Sequence, residues 1–257
     1  MFLALILYFS FSYCIIYYNL INFIYPSNDQ FFMYACYICR SVVVCLDKKM
    51  GGASLEDVER FVRDQSRSRK LLPGPISVVW HDNVVDNLQI AQAASMGVGA
   101  ITLNSDLVNS DELTAQIAYC KDLSVEPIIM VRTEEQANFA IEKGSRVICM
   151  HNLDEKEMVE IRRKLPSDQD IVYIGRLRPV SQFSIYAEID QAWILRDNGF
   201  QVVWPSPDSI YSTGFLDLYA ILQAMKSKAS AQFLSPRQFM MERKKEGAKE
   251  YLGDILY

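Results

Sequence analysis

Charge is missing from the first 28 residues of this chain, and histidine is scarce throughout, with two in 257 residues. Two His and six Cys are too few for a protein with several zinc sites. Basic residues are scattered, and the net charge is -5. Nucleic acid is therefore excluded as the main partner, because phosphate neutralisation needs clustered Lys and Arg. A mainly disordered chain is excluded too, since half of the residues are hydrophobic. At this length the chain makes one large domain or two small ones, with ample material for a core.

The uncharged start reads MFLALILYFSFSYCIIYYNLINFIY over residues 1–25, long enough to span a bilayer as a helix. It has neither the basic n-region nor the small-residue cleavage site of a clean secretory signal. Three readings stand: a membrane or signal anchor, a targeting leader, or a wrongly assigned first exon. Real, it would hang the protein from a membrane or send it to an organelle such as a plastid. Without it the protein is soluble. Tyr25-Pro26-Ser27-Asn28 ends any helix there. The expected division is an apolar leader over 1–28, a main domain over 29–228 and a helical extension over 229–257. In the extension, Ser235-Pro236-Arg237 forms a helix start, and its apolar end is expected to dock on the main domain or on a protein partner.

Cys36 and Cys39 have redox-motif spacing, but apolar surroundings make them buried thiols. Cys14, Cys45, Cys120 and Cys149 lie in apolar runs and read as core.

From Ser41 onward, short β-branched runs alternate with amphipathic helical stretches. The runs are 41–46, 76–80, 99–103, 127–131, 146–150, 170–174 and 200–204. They are continuously apolar rather than alternating, which suits strands covered on both faces. Seven β-then-α units allow an open doubly wound sheet or a closed (β/α)8 TIM-type barrel, and the near-regular repeat favours the barrel. One unit is then unaccounted for, so the first is incomplete or replaced, with residues 28–40 the candidate strand.

Several stretches resemble the indole-3-glycerol-phosphate synthase family. They are Gly51-Gly52-Ala53-Ser54-Leu55-Glu56-Asp57, Val84-Val85-Asp86-Asn87-Leu88-Gln89-Ile90 running on to Gly97–Leu103, and Thr133-Glu134-Glu135 with Gly144 and Ile148–Asn152. The resemblance implies a (β/α)8 barrel that binds a phosphorylated small molecule and closes an indole ring on a carboxyphenylamino-deoxyribulose phosphate, in tryptophan biosynthesis. No cofactor and no metal are expected, two His with one Asp being too thin a set for zinc. The resemblance also implies a general acid, carboxylates and a glycine-lined phosphate cradle at the strand ends. Here the family's first-strand Glu and Lys have no counterpart. His81 stands where its catalytic Lys belongs, Met130 and Ile174 where two Glu belong, and His151 where an Asn belongs. Trp204-Pro205-Ser206 replaces the phosphate loop.

The expectation that follows is a degenerate synthase-like barrel acting as a binding or scaffolding subunit. Two alternatives remain: a working or residual synthase with an incorrectly assigned N-terminus, and different acid–base chemistry at His81 and His151. Asp82, Arg132, Asn152, Arg176 and Trp204 are expected beside the two histidines as ligand-binding residues. Against this, the histidines could merely fill space, and Arg132 and Arg176 could be surface salt-bridge partners.

Overall fold

The computed structural model describes residues 13–17, 41–47, 52–67, 76–167, 170–178, 185–205 and Met225. Eight strands run in chain order around a closed barrel, every pair parallel. They are β1 Tyr13–Tyr17, β2 Ser41–Cys45, β3 Ser77–His81, β4 Ala100–Asn104, β5 Glu126–Val131, β6 Val147–Met150, β7 Val172–Arg176 and β8 Val202–Trp204. Six described helices lie between them: α1 Leu55–Arg67, α2 Asn87–Ser95, α3 Ser110–Asp122, α4 Glu134–Glu142, α5 Glu155–Lys164 and α6 Ile185–Asp197.

The start of the chain corrects two expectations. The run expected to form an apolar helix over 1–25 contributes strand β1, which pairs with β2 (Ile15 opposite Ser41) and with β8 (Tyr13 opposite Val202). The eighth strand therefore comes from within the apolar run and not from 28–40, and the barrel begins before residue 29. Four of the five residues of YCIIY are aromatic or β-branched, which fits a barrel strand as well as it fits a membrane helix. Among the described residues no helix is long and apolar enough to cross a membrane. The expected C-terminal helix at 235–257 and the Cys36/Cys39 pair fall outside the described residues.

The seven apolar runs found in the sequence become β2–β8, each within about two residues of its expected bounds. Val42, Val43 and Val44 all have 0% exposure, although successive side chains of β2 point to opposite faces. Such double burial identifies strands lined by the barrel interior on one face and helices on the other. Ile101 and Leu103 on β4, and Ile129 on β5, turn outward and are likewise fully buried.

Local chemistry fixes the helix ends. Asp86, Asn109, Thr133 and Asp154 are N-caps with reciprocal side chains at Gln89, Glu112, Gln136 and Glu157. Each box satisfies backbone donors that the helix cannot satisfy itself. Gly97 and Gly144, just beyond the ends of α2 and α4, take positive φ of 79° and 82°, the left-handed conformation that glycine enters without a Cβ penalty.

Candidate functional site at the barrel mouth

Strand register decides which side chains share the lumen. The pairings place Cys45 beside His81, and Asn104, Met130, Cys149, Ile174 and Val202 in one continuous row. Arg176 pairs with Trp204. Side chains alternate along a strand, so Met130 and Arg132 share a face, as do Cys149 and His151, and Ile174 and Arg176. One contact shows that this face is the inner one. The rings of His81 on β3 and Trp204 on β8 meet edge-to-face, 5.2 Å between centroids. In the sheet these strands are separated by β1 and β2, so their rings can touch only across the interior.

His81 is held by its neighbour on β4. Its Nδ1 lies 2.9 Å from Thr102 Oγ1, and the Thr102 hydroxyl faces the Trp80 carbonyl at 3.5 Å. With the hydroxyl donating to that carbonyl, Nδ1 is left to donate to Oγ1. The Arg176 guanidinium lies over the Trp204 ring, 5.0 Å from its centroid. Trp204 is fully buried and so forms the floor on which Arg176 and His81 rest.

His151 follows β6 directly and is 3% exposed. Its Nε2 is buried and has no hydrogen-bond partner. Both imidazoles are held neutral at physiological pH. Burial first, then the Arg176 charge and then His151, lower His81 to about 3. Burial and Arg176 lower His151 to about 4, Asp106 opposing them and Arg132 adding to them. Desolvation penalises the imidazolium, and a neighbouring cation penalises it further.

The other expected site residues divide. Arg132 stands at the rim, half exposed, with Nε 2.7 Å from Asp106 Oδ2. Asp106 Oδ1 accepts from Gln136 Nε2 at 2.8 Å. Arg132 is thus committed to a carboxylate. Asp82 turns its Oδ1 to the Asn83 backbone N–H at 2.8 Å. Asn152 is exposed in a turn at φ 55°, a conformation Asn tolerates better than most residues. His81, His151, Arg176 and Trp204 are the expected residues that converge on the lumen.

Three neighbours were not singled out from the sequence. Thr102 is the partner of His81, Asp106 is a carboxylate whose charge acts on His151, and Cys45 lies in the charge field of Arg176 and Asp82. Burial, the dominant cause, raises the Cys45 thiol, so it is not an activated nucleophile. Among the described residues no group of three or more His, Cys, Asp or Glu could hold a metal ion.

A complete ring of parallel strands with its polar groups at the C-terminal strand ends defines a (β/α)8 barrel of the type whose sites open at that face. Two solved structures share the fold. Thiamine phosphate pyrophosphorylase from Pyrococcus furiosus matches at TM-score 0.52 and 10% identity, covering 84% of this chain and 96% of that one. A native KDPGal structure matches at TM-score 0.54 and 13% identity, covering 86% and 96%.

The family relationship is narrower. Residues 49–171 match the family model of indole-3-glycerol phosphate synthase, and this chain is related to that family. The indole-3-glycerol phosphate synthase of Ruminiclostridium cellulolyticum is 26% identical over 127 residues, 47% of this chain and 49% of the relative. That of Aquifex aeolicus is 25% identical over 146 residues, 56% and 53%. The multifunctional tryptophan biosynthesis protein of Schizosaccharomyces pombe is 28% identical over 76 residues, 30% and 10%. The chain spans about half the length of the curated relatives it matches.

Proposed function

We propose that this barrel binds a small phosphorylated or otherwise anionic molecule at its mouth and does not perform the ring closure of the family it resembles. The observation that carries this reading is the register row containing Met130 and Ile174, each 3% exposed. If the family's carboxylates belong at these two positions, thioether and alkyl groups have replaced them, and neither can carry a proton. Arg176 supports the binding half of the proposal. Its guanidinium is partly exposed over an aromatic floor, a placement suited to planar recognition of an oxyanion.

Acid–base turnover by His81 and His151 is the weaker reading. Imidazoles held at about 3 and 4 are poor bases, because efficient general catalysis places the pKa near the working pH. The Asp106 carboxylate is already engaged by Arg132 and Gln136.

Two measurements test the proposal. Incubation of the purified full chain with carboxyphenylamino-deoxyribulose phosphate is expected to give no ring-closed product. Turnover of about 1 per second or faster, the ordinary enzyme range, would overturn that half. Titration calorimetry with ribulose 5-phosphate is expected to show binding, weakened roughly tenfold or more by Arg176→Gln through loss of a charge-assisted contact. No heat at millimolar ligand would overturn the other half.

A further inference from the structure

Five large hydrophobic side chains are exposed among the described residues: Leu55, Val85, Leu88, Leu107 and Ile194. Four of them stand at the mouth end of the barrel. Leu55 opens α1, Val85 and Leu88 flank the Asp86 cap of α2, and Leu107 precedes the Asn109 cap of α3. β2, β3 and β4 are neighbours in the ring, so the connections leaving their C-terminal ends lie side by side. Ile194 is in the last turn of α6, towards the other end. Single exposed apolar residues are ordinary, whereas a group on adjoining connections marks an interaction surface. Hydrogen bonds hold this group in place. Gln89 Oε1 accepts from the Val85 and Asp86 N–H groups at 2.8 and 3.1 Å, and Leu107 N–H donates to the Asn104 carbonyl at 3.1 Å.

The same surface is acidic. No Lys or Arg occurs between Lys70 and Lys121, and the carboxylates of that span are Asp82, Asp86, Asp106, Asp111 and Glu112. All five lie on the β3–α2 and β4–α3 connections or in the first turn of α3. Arg132 binds Asp106, and the other four form no ion pair among the described residues. The connection before α1 carries Lys48 and Lys49, so the acidic surface is confined to the two connections after it. There Val85 and Leu88 are 61% and 76% exposed. An occupant that fits must be apolar and basic together.

We propose that these two connections are the docking surface for this chain's own C-terminal segment, residues 237–249, bound back on the same molecule. That segment reads RQFMMERKKEGAK, with five Lys or Arg against two Glu. Phe239, Met240 and Met241 supply apolar side chains for Val85, Leu88 and Leu107, and methionine adapts to an irregular surface. Arg243, Lys244 and Lys245 supply the charge that Asp82, Asp86, Asp111 and Glu112 call for. The tether is long enough. Met225 is buried, and the 12 residues from there to Arg237 reach about 40 Å when extended. The 13-residue helices α1 and α3 are about 20 Å long, so the segment can arrive from either end of the barrel. Tethering also holds it near the surface at roughly millimolar effective concentration. The inference does not depend on the anion-binding reading.

A water-soluble carbodiimide tests this on the full chain, because it joins a lysine amine to a carboxylate only where the two touch. Peptide mapping by mass spectrometry is expected to find Lys244 or Lys245 joined to Asp82, Asp86, Asp111 or Glu112 within single chains. The yield is expected to fall severalfold at about 1 M salt, where exposed charges further apart than roughly 3 Å are screened. Leu88→Arg, at a position exposed enough to leave the fold intact, is expected to lower the yield severalfold and to speed tryptic cleavage after Lys245. Cross-links from these lysines only to carboxylates elsewhere would overturn the assignment of the surface. Cross-links that join two chains would show that a second copy is the occupant and overturn the tethered arrangement. Absence of any link from the segment, or equal yields in the parent and Leu88→Arg, would overturn the inference and leave the surface to a partner molecule.

Discussion

Across the barrel lumen the edge of the His81 imidazole meets the Trp204 indole, 5.2 Å between ring centroids. Two strands lie between them in the sheet, so the contact staples β3 to β8 from the inside. Trp204 has no exposed surface. Trp204→Ala is expected to destabilise the protein by about 3–5 kcal/mol through cavity formation. Trp204→Phe, which keeps an apolar floor, should cost clearly less. Urea denaturation followed by circular dichroism measures both. Equal losses would show that filling the lumen is not what Trp204 contributes.

The hydrogen bond between His81 and Thr102 gives a narrower prediction. Thr102→Val keeps the shape but leaves the imidazole Nδ1 without its 2.9 Å partner. The expected cost is about 1–3 kcal/mol, the penalty for stranding a buried polar group. Thr102→Ser, which retains the hydroxyl, should recover most of it. A valine variant as stable as the parent would mean that the imidazole finds another acceptor.

Stability should depend on pH through His151. Its folded pKa, about 4, lies below the ordinary histidine value of 6.5. The unfolded chain therefore binds more protons in the window between them. The contribution is fully present above about pH 6.5, and is lost progressively as the pH falls towards 4. The upper bound on that loss is on the order of 3 kcal/mol for this residue. Urea midpoints taken from pH 7 to 4.5 are expected to fall less steeply in His151→Asn than in the parent. Parallel curves would exclude His151 as a source of acid lability.

Gly175 shows how closely β7 packs on its helix layer. A Cβ there would lie 2.5 Å from Leu195 Cδ1 and 3.4 Å from Phe200 Cδ1. The nearer atom ends a flexible side chain, so Gly175→Ala should fold but lose about 1–3 kcal/mol through forced repacking. Gly175→Ala combined with Leu195→Val, which makes room for the methyl group, should lose less than the sum of the single changes.

Arg162 is a buried cation with a structural task. Its guanidinium donates to the carbonyls of Gly199, Leu165 and Pro166, at 3.2, 3.3 and 3.3 Å. It also stacks over Tyr173 at 4.0 Å. Arg162→Met is expected to cost about 3 kcal/mol or more, because three carbonyls at the α5 and α6 ends lose a charged donor. Thermal unfolding tests this, and a change within 0.5 kcal/mol of the parent, the scatter typical of surface substitutions, would refute it.

Most of the fold could be read from the sequence, because a strand covered on both faces has a plain signature. VVVC in β2, AITL in β4 and IIMV in β5 are unbroken apolar or β-branched runs, and each strand is followed by a helix. β1 could not be read in the same way. YCIIY is buried in a longer apolar run whose length matches a bilayer, and periodicity cannot separate a short internal strand from a helix there. The site followed the same logic. His81, His151, Arg176 and Trp204 could be placed because each stands at a strand end, where the two-residue alternation fixes direction. Asn152 could not, because a residue in a positive-φ turn no longer follows that alternation. Asp106 and Thr102 were hidden for another reason: each acts through a neighbour in register, and register appears only once the strands are paired.

The pairing of β1 with both β2 and β8 makes the opening stretch of the chain a stave of the finished cask. A processing enzyme that trimmed the protein after Tyr17 would remove that stave, leaving β2 and β8 with bare backbone edges of the sort that recruit other chains into aggregates. The same pairing sets an order of events during synthesis. The ring cannot shut until the eighth strand has left the ribosome, so an apolar strand made before the other seven must wait for a partner made after all of them.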